Sequence, residues 1–219
     1  MDEIWHPCPV DAQCPACAGD SDFDWSFVDA VACISLRDRE DRTREAAAQL
    51  HRVGLCRRVE FYRPARPPNR PKEAIWESHR TVLRRALDAR RETVLVFEDD
   101  VAFRPGLTRR RLDSVREAFG ALPKGWTVFY LGHWPIELHF LRHNLVRTRS
   151  ACTHAYVASR ALMEWLVATP YSSFIASSGV IGKGLDAAYA ALAGTYAHFP
   201  MPAVQSTSPG DHKARTHGG

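Results

Sequence analysis

Residues 93–97, TVLVF, form an apolar, β-branched run that ends directly on Glu98, Asp99 and Asp100. A short apolar run bounded by polar residues reads as a strand buried on both faces. Three adjacent carboxylates at its end repel one another, and burying them unpaired costs more than the strand gains. The chain must therefore meet a cation there, either its own or one that a ligand brings. That narrows the fold to one that gathers a polar site at the end of a buried strand.

The rest of the chain alternates in the same way. FVDAVACISL (27–36), RVEFY (58–62), WTVFYLG (126–132), THAYVAS (153–159) and TYAHFP (195–200) read as further strands. Helical stripes lie between them. The first is Ala47, Leu50 and Val53, with Asp38 as its expected cap and Gly54 closing it. The second is Ile75, Val82, Leu83, Ala86 and Leu87, opened by Pro71. Leu112, Val115 and Phe119 mark the third, ended by Gly120, and Leu162, Trp165 and Leu166 the fourth, capped by Ser159. Leu185, Ala188, Tyr189 and Leu192 mark the last. RPARPPNRP (63–71) is a loop, because its four prolines forbid regular structure. This order predicts a three-layer α/β fold around a mostly parallel central sheet. Ligands in such sheets bind at the carboxyl ends of the strands, where the acidic triplet lies.

A chain of 219 residues, 45% hydrophobic, suffices for one sizeable core. Composition divides it into a Cys/Pro-rich arm (1–26), a main domain (27–205) and a polar tail (206–219). The net charge of +4 is unevenly spread. Arg57, Arg58, Arg63, Arg66, Arg70 and Lys72 crowd one stretch, and Arg109, Arg110 and Arg111 form a run. Such clusters suit phosphates or lipid headgroups, and no nucleic-acid module accompanies them. No apolar run reaches the ~20 residues that span a bilayer, and MDEIWHPCPV lacks the features of a signal peptide. A cytoplasmic location is expected, with peripheral contact at the inner face of the membrane through the basic clusters. Cys8, Cys14 and Cys17, with His6, offer a tetrahedral zinc set in the arm. Cys33, Cys56 and Cys152 read as reduced thiols.

Hard divalent cations prefer oxygen ligands, so Mn²⁺ or Mg²⁺ carrying a diphosphate is the expected occupant of the acidic site. Alternate side chains of an extended segment point the same way. Glu98 and Asp100 are therefore expected to share the ion, with Asp99 turned to a ribose hydroxyl or a backbone amide.

Four segments in fixed order resemble one known family. They are CISLRDREDRTREAAAQL (33–50), ESHRTVLRRAL (77–87), VLVFEDDVAF (94–103) and ACTHAYVASRALMEWL (151–166). Together they are similar to the glycosyltransferase family 25 domain of lipooligosaccharide and procollagen galactosyltransferases, from about Val31 to Gln205. The resemblance implies a GT-A-type nucleotide-sugar-binding fold, a metal-bound UDP-sugar, inversion at the anomeric carbon, and a saccharide or lipid-saccharide acceptor. It carries nucleotide contacts to Ser35, Leu36, Arg39 and Arg42, and the Ser-His pair to Ser78 and His79. The acidic motif falls on Glu98, Asp99 and Asp100, and a late acidic position on Asp186. His79 and Asp186 are the expected catalytic residues, Asp186 as the base that deprotonates the acceptor hydroxyl.

The chain departs from the family at AIWE (74–77), where a small segment normally precedes Ser-His. Trp76 and Glu77 are expected to reshape that wall of the site. GHWPIELHF (132–140) mixes rings with His133 and Glu137 and suits a sugar-binding lip. His212, in the tail, is a candidate late metal ligand. Two rivals accompany the transferase reading. One is a nucleotide-sugar-binding module that has lost turnover. The other is a metal-dependent phosphotransferase or nuclease, which the missing phosphate-binding glycine loop disfavours.

Overall fold

The computed structural model describes residues 4–9, 23–178 and 184–206. Cys14, Cys17 and His212 lie outside them, so half of the zinc set and the late metal ligand do too.

Among the described residues, nine strands form: β1 (Trp5–Pro7), β2 (Ala30–Ile34), β3 (Val59–Tyr62), β4 (Thr93–Glu98), β5 (Val101–Phe103), β6 (Val128–Arg142), β7 (Leu145–Ser159), β8 (Thr195–His198) and β9 (Ala203–Gln205). The described helices are α1 (Glu40–Arg52), α2 (Pro71–Asp88), α3 (Arg109–Gly120), α4 (Arg160–Ala168), α5 (Tyr171–Ser178) and α6 (Leu185–Ala190). Seven strands make one sheet in the order β1-β3-β2-β4-β7-β6-β8, and β5 pairs with β9 in a small second sheet. β3, β2 and β4 run parallel, as do β6 and β8, while β7 runs antiparallel to β4, β6 and β8.

The two-residue period of the strands makes the three layers. Val31, Cys33, Leu95, Phe97, Phe129 and Leu131 point to one face, under Ala46, Ala47 and Leu50 of α1 and Leu112 and Val115 of α3. Ala32, Val94, Val96, Val128 and Tyr130 point to the other, under Leu83 and Ala86 of α2, Leu162 and Leu166 of α4, and Tyr189 of α6. The expected α/β/α core is therefore realised, residue by residue, from the alternation.

Several expectations need correction. α1 starts at Glu40 after Arg39, with no side-chain cap, and Asp38 instead pairs with Arg66 at 2.6 Å. Ile75 is exposed, and Trp76 takes its place in the core. Trp76 stacks on Phe174 with ring centroids 4.6 Å apart and donates its indole N–H to Thr169 O, so it walls no site. Cys56 is disulfide-bonded, which spacing alone could not reveal. The segment read as an arm is partly built into the fold. β1 extends the sheet edge against β3, and Trp25 is buried in the core with its indole N–H on Val53 O at 2.7 Å.

The largest difference lies at 132–140. The expected lip is the middle of β6, which pairs with β7 over a long hairpin turning at residues 143–144. Pro135, Gly132 and four register irregularities hide this strand from a period-2 reading.

Candidate functional site

The parallel strands end together. Ile34 stands opposite Tyr62 of β3 and Glu98 of β4, so the next residues, Ser35 and Asp99, are neighbours at one sheet edge. Ser35 is buried, and its hydroxyl donates to Asp99 Oδ2 at 2.9 Å and lies 2.8 Å from Thr43 Oγ1 of α1. Leu36 follows, half-buried. Arg42, in the first turn of α1, is also buried, and its charge acts on both Asp99 and Asp100. Its guanidinium reaches Ser206 Oγ at 3.3 Å. Arg39, by contrast, makes a bidentate pair with Asp41 at the helix start.

Asp99 and Asp100 occupy the turn between β4 and β5, so the extended alternation expected of the triplet does not hold. Each carboxylate has its own surroundings. Glu98 accepts the Thr153 hydroxyl and lies 3.4 Å from His79 Nε2. Burial pushes its carboxyl up, but the His79 and Thr153 contacts outweigh this and hold it below the usual carboxylate range. Asp99 is shifted the other way, raised by burial against the opposing Ser35 bond. Asp100 is raised furthest, to about 7, first by burial and then by the charge of Glu98. Gln205 Nε2 donates to its Oδ2 at 2.7 Å, while its Oδ1 is buried with no hydrogen-bond partner.

Behind Glu98 runs a buried chain of polar groups. His79 Nδ1 lies 2.8 Å from Tyr156 Oη, which lies 3.2 Å from Tyr189 Oη on α6. Asp186 sits one turn before Tyr189, and its Oδ1 accepts the Ala187 amide at 2.9 Å. Ser78 does not join the site, because its hydroxyl returns to Ala74 O within α2. The structure brings Ser35, Arg42, His79 and the acidic triplet of the sequence reading to one place. That reading missed Thr153, Tyr156 and Gln205, whose only signal was polarity within otherwise apolar strands.

A cleft of about 400 Å³ opens beside Gln205, lined also by His133, Trp134, His154 and Met201. His133 is buried with Nδ1 on Ser150 Oγ, and burial lowers it to about 4, so it is neutral at pH 7. His154 contacts Cys152 Sγ through Nδ1 at 3.0 Å, and its Nε2 has no hydrogen-bond partner. Cys152 itself holds φ +77, a left-handed conformation that costs a non-glycine residue about 1 kcal/mol or more. Gly132 leaves room for the ring, since a Cβ there would come within 2.2 Å of His154 Nε2.

Among the described residues, no three His, Cys, Asp or Glu side chains converge as a full metal shell. The donor set instead fits a hard cation that takes one or two carboxylates and completes its shell with water and phosphate oxygens. The unpartnered Oδ1 of Asp100, and the repulsion between Asp100 and Glu98, are what such an ion would relieve.

Among solved structures, the chain is similar to a glycosyltransferase involved in the glycosylation of the major capsid of PBCV-1, with a TM-score of 0.53 over 83% of this chain and 95% of that one. The chain shares that protein's fold. At 9% sequence identity the likeness is one of architecture alone. A mannose-1-phosphate geranyltransferase from Thermus thermophilus aligns at a TM-score of 0.39 and 13% identity, over 80% of this chain and 58% of that one, too distantly to inform the reading. No protein-family profile and no curated protein matches the sequence. The family 25 resemblance therefore rests on the four motifs.

Proposed function

We propose that the protein transfers a sugar from a UDP-sugar, galactose being the first choice, to a hydroxyl of a saccharide or lipid-linked saccharide, with inversion. One observation carries this reading. Asp100 keeps a buried, unpartnered carboxylate oxygen in an acidic turn, beside a cleft, at the strand edge of a fold shared with a glycosyltransferase. Asp100 and Glu98 are the residues that would hold Mn²⁺ or Mg²⁺, which supplies neutralisation of charge on the departing diphosphate. Ser35 fixes Asp99 for a ribose or base contact, and Arg42 brings a buried positive charge to the same edge. The backbone around Leu36 and Arg39 completes the nucleotide side.

On the acceptor side, Asp186 is the proposed base, with neutral His133 in the cleft as the alternative. Asp186→Asn should keep UDP-sugar affinity and lower transfer roughly 10²-fold or more, the usual loss for a general base. Unchanged transfer moves the role to His133, and lost donor binding makes Asp186 a positioning residue. A binding module without turnover is the second reading, favoured by the Asp186 bond to its own helix amide. Release of free sugar from UDP-sugars with Mn²⁺ separates the two, because a pure binder releases none.

A further inference from the structure

We propose that the β6–β7 hairpin, with Phe199 beside it, is a docking surface for an anionic lipid bilayer. Among the described residues, seven large apolar side chains are exposed, and five of them gather here: Trp134, Ile136, Phe140, Leu141 and Phe199. Trp134 and Phe140 are 62% and 60% exposed, and Phe140 meets the Phe199 ring edge-on at 5.0 Å. Single exposed apolar residues are ordinary, but a cluster of this kind marks an interaction site. Tryptophan with aliphatic neighbours suits the boundary between headgroups and acyl chains.

Charge decides the partner. Residues 133–149 contain Arg142, Arg147 and Arg149 against one acid, Glu137, which Arg149 already meets at 3.3 Å. The hairpin turn is fastened to α3, where Asn144 Nδ2 donates to Ser114 O at 3.1 Å. Arg111, one turn before Ser114 on α3, comes close enough for its charge to act on His198, next to Phe199. The hairpin thus carries exposed apolar and basic side chains together, with Phe140 opposite Val146 on one face and Arg147 opposite His139 on the other. Cations of this kind are drawn to anionic headgroups while the apolar groups enter the bilayer boundary. A second copy of the chain is a poorer occupant, since a two-fold contact would bring two surfaces of the same net positive charge together.

This inference stands apart from the transferase reading. It would also turn the cleft at the base of the hairpin, lined by His133 and Trp134, toward the lipid surface.

Co-sedimentation of the full chain with vesicles tests it. Phosphatidylcholine mixed with phosphatidylglycerol should retain the protein at low salt, and phosphatidylcholine alone should retain little. Trp134→Ser with Phe140→Ser should weaken retention at least roughly tenfold. Arg142→Gln with Arg147→Gln should weaken it roughly fivefold per arginine and blunt the salt dependence. The arginines are exposed, so that pair decides the matter even if the apolar variant folds poorly. Retention on neither vesicle, undiminished retention of the arginine variant, or self-association in place of lipid binding would overturn the proposal.

Discussion

Gln205 donates its side-chain amide to Asp100 across 2.7 Å, although 105 positions separate them. The pairing of β5 with β9 makes this possible, because Val101 stands opposite Gln205 and the Ser206 amide bonds Asp100 O. The contact satisfies one carboxylate oxygen and leaves the other buried without a partner. Asp100 is thus held in place without being neutralised.

Such an arrangement should cost stability when no cation is bound. The Asp100 carboxyl titrates near 3.8 in the unfolded chain and near 7 when folded, so the folded state loses stability as pH rises between those values. Asp100→Asn should therefore raise the unfolding midpoint above pH ~7 by an equivalent of roughly 1–2 kcal/mol, and little near pH ~4. Urea titrations without divalent metal, at both pH values, check this. A destabilised variant at high pH would mean that the carboxylate is already compensated.

The core beneath this site could be read from the sequence, because burial on both faces of a strand leaves an alternation that composition preserves. Val94 and Val96 face one layer, and Leu95 and Phe97 the other. The contacts that tune the site could not be read in this way. Tyr156 meets His79 across 77 positions, and nothing local to either residue encodes the pairing. The hairpin was hidden for a different reason. Its outer residues, such as Trp134 and Phe140, are exposed on a strand that bulges repeatedly, so no buried face repeats. Trp76 shows the opposite failure, in which a large ring near a motif suggested a site but filled the core.

The first residues should matter for folding more than their composition suggests. Trp25 is buried, and Arg58 donates to both Trp25 O and Val28 O. Trp25→Ala should cost about 3–5 kcal/mol, the usual range for emptying a buried aromatic site. Removing residues 1–26 should cost at least as much, because β1 leaves the sheet as well. Calorimetry of the truncated chain checks this, and an unchanged melting temperature would return the segment to a dispensable arm.

Acid should unfold the protein through buried imidazoles. His198 Nδ1 donates to Pro200 O while Nε2 faces the Ser114 hydroxyl, so the neutral ring is the one that fits. Burial, aided by Arg111 and His143, lowers it to about 4, against ~6.5 in an unfolded chain. Stability from the neutral ring is complete above pH ~6.5 and lost as pH falls toward ~4, by roughly 2–3 kcal/mol. His133 has the same sign. His198→Gln should flatten the slope of stability against pH by about one proton in that window. An unaltered slope would place the titrating group elsewhere.

The central claim is that the acidic turn holds a cation together with a nucleoside diphosphate, and calorimetric titration of UDP tests it most directly. The native protein should bind UDP with Mn²⁺ and at least roughly tenfold more weakly without it, and Asp100→Asn should lose that dependence while remaining folded. UDP binding that ignores Mn²⁺ in the native protein, or keeps its full Mn²⁺ dependence in Asp100→Asn, would contradict the account.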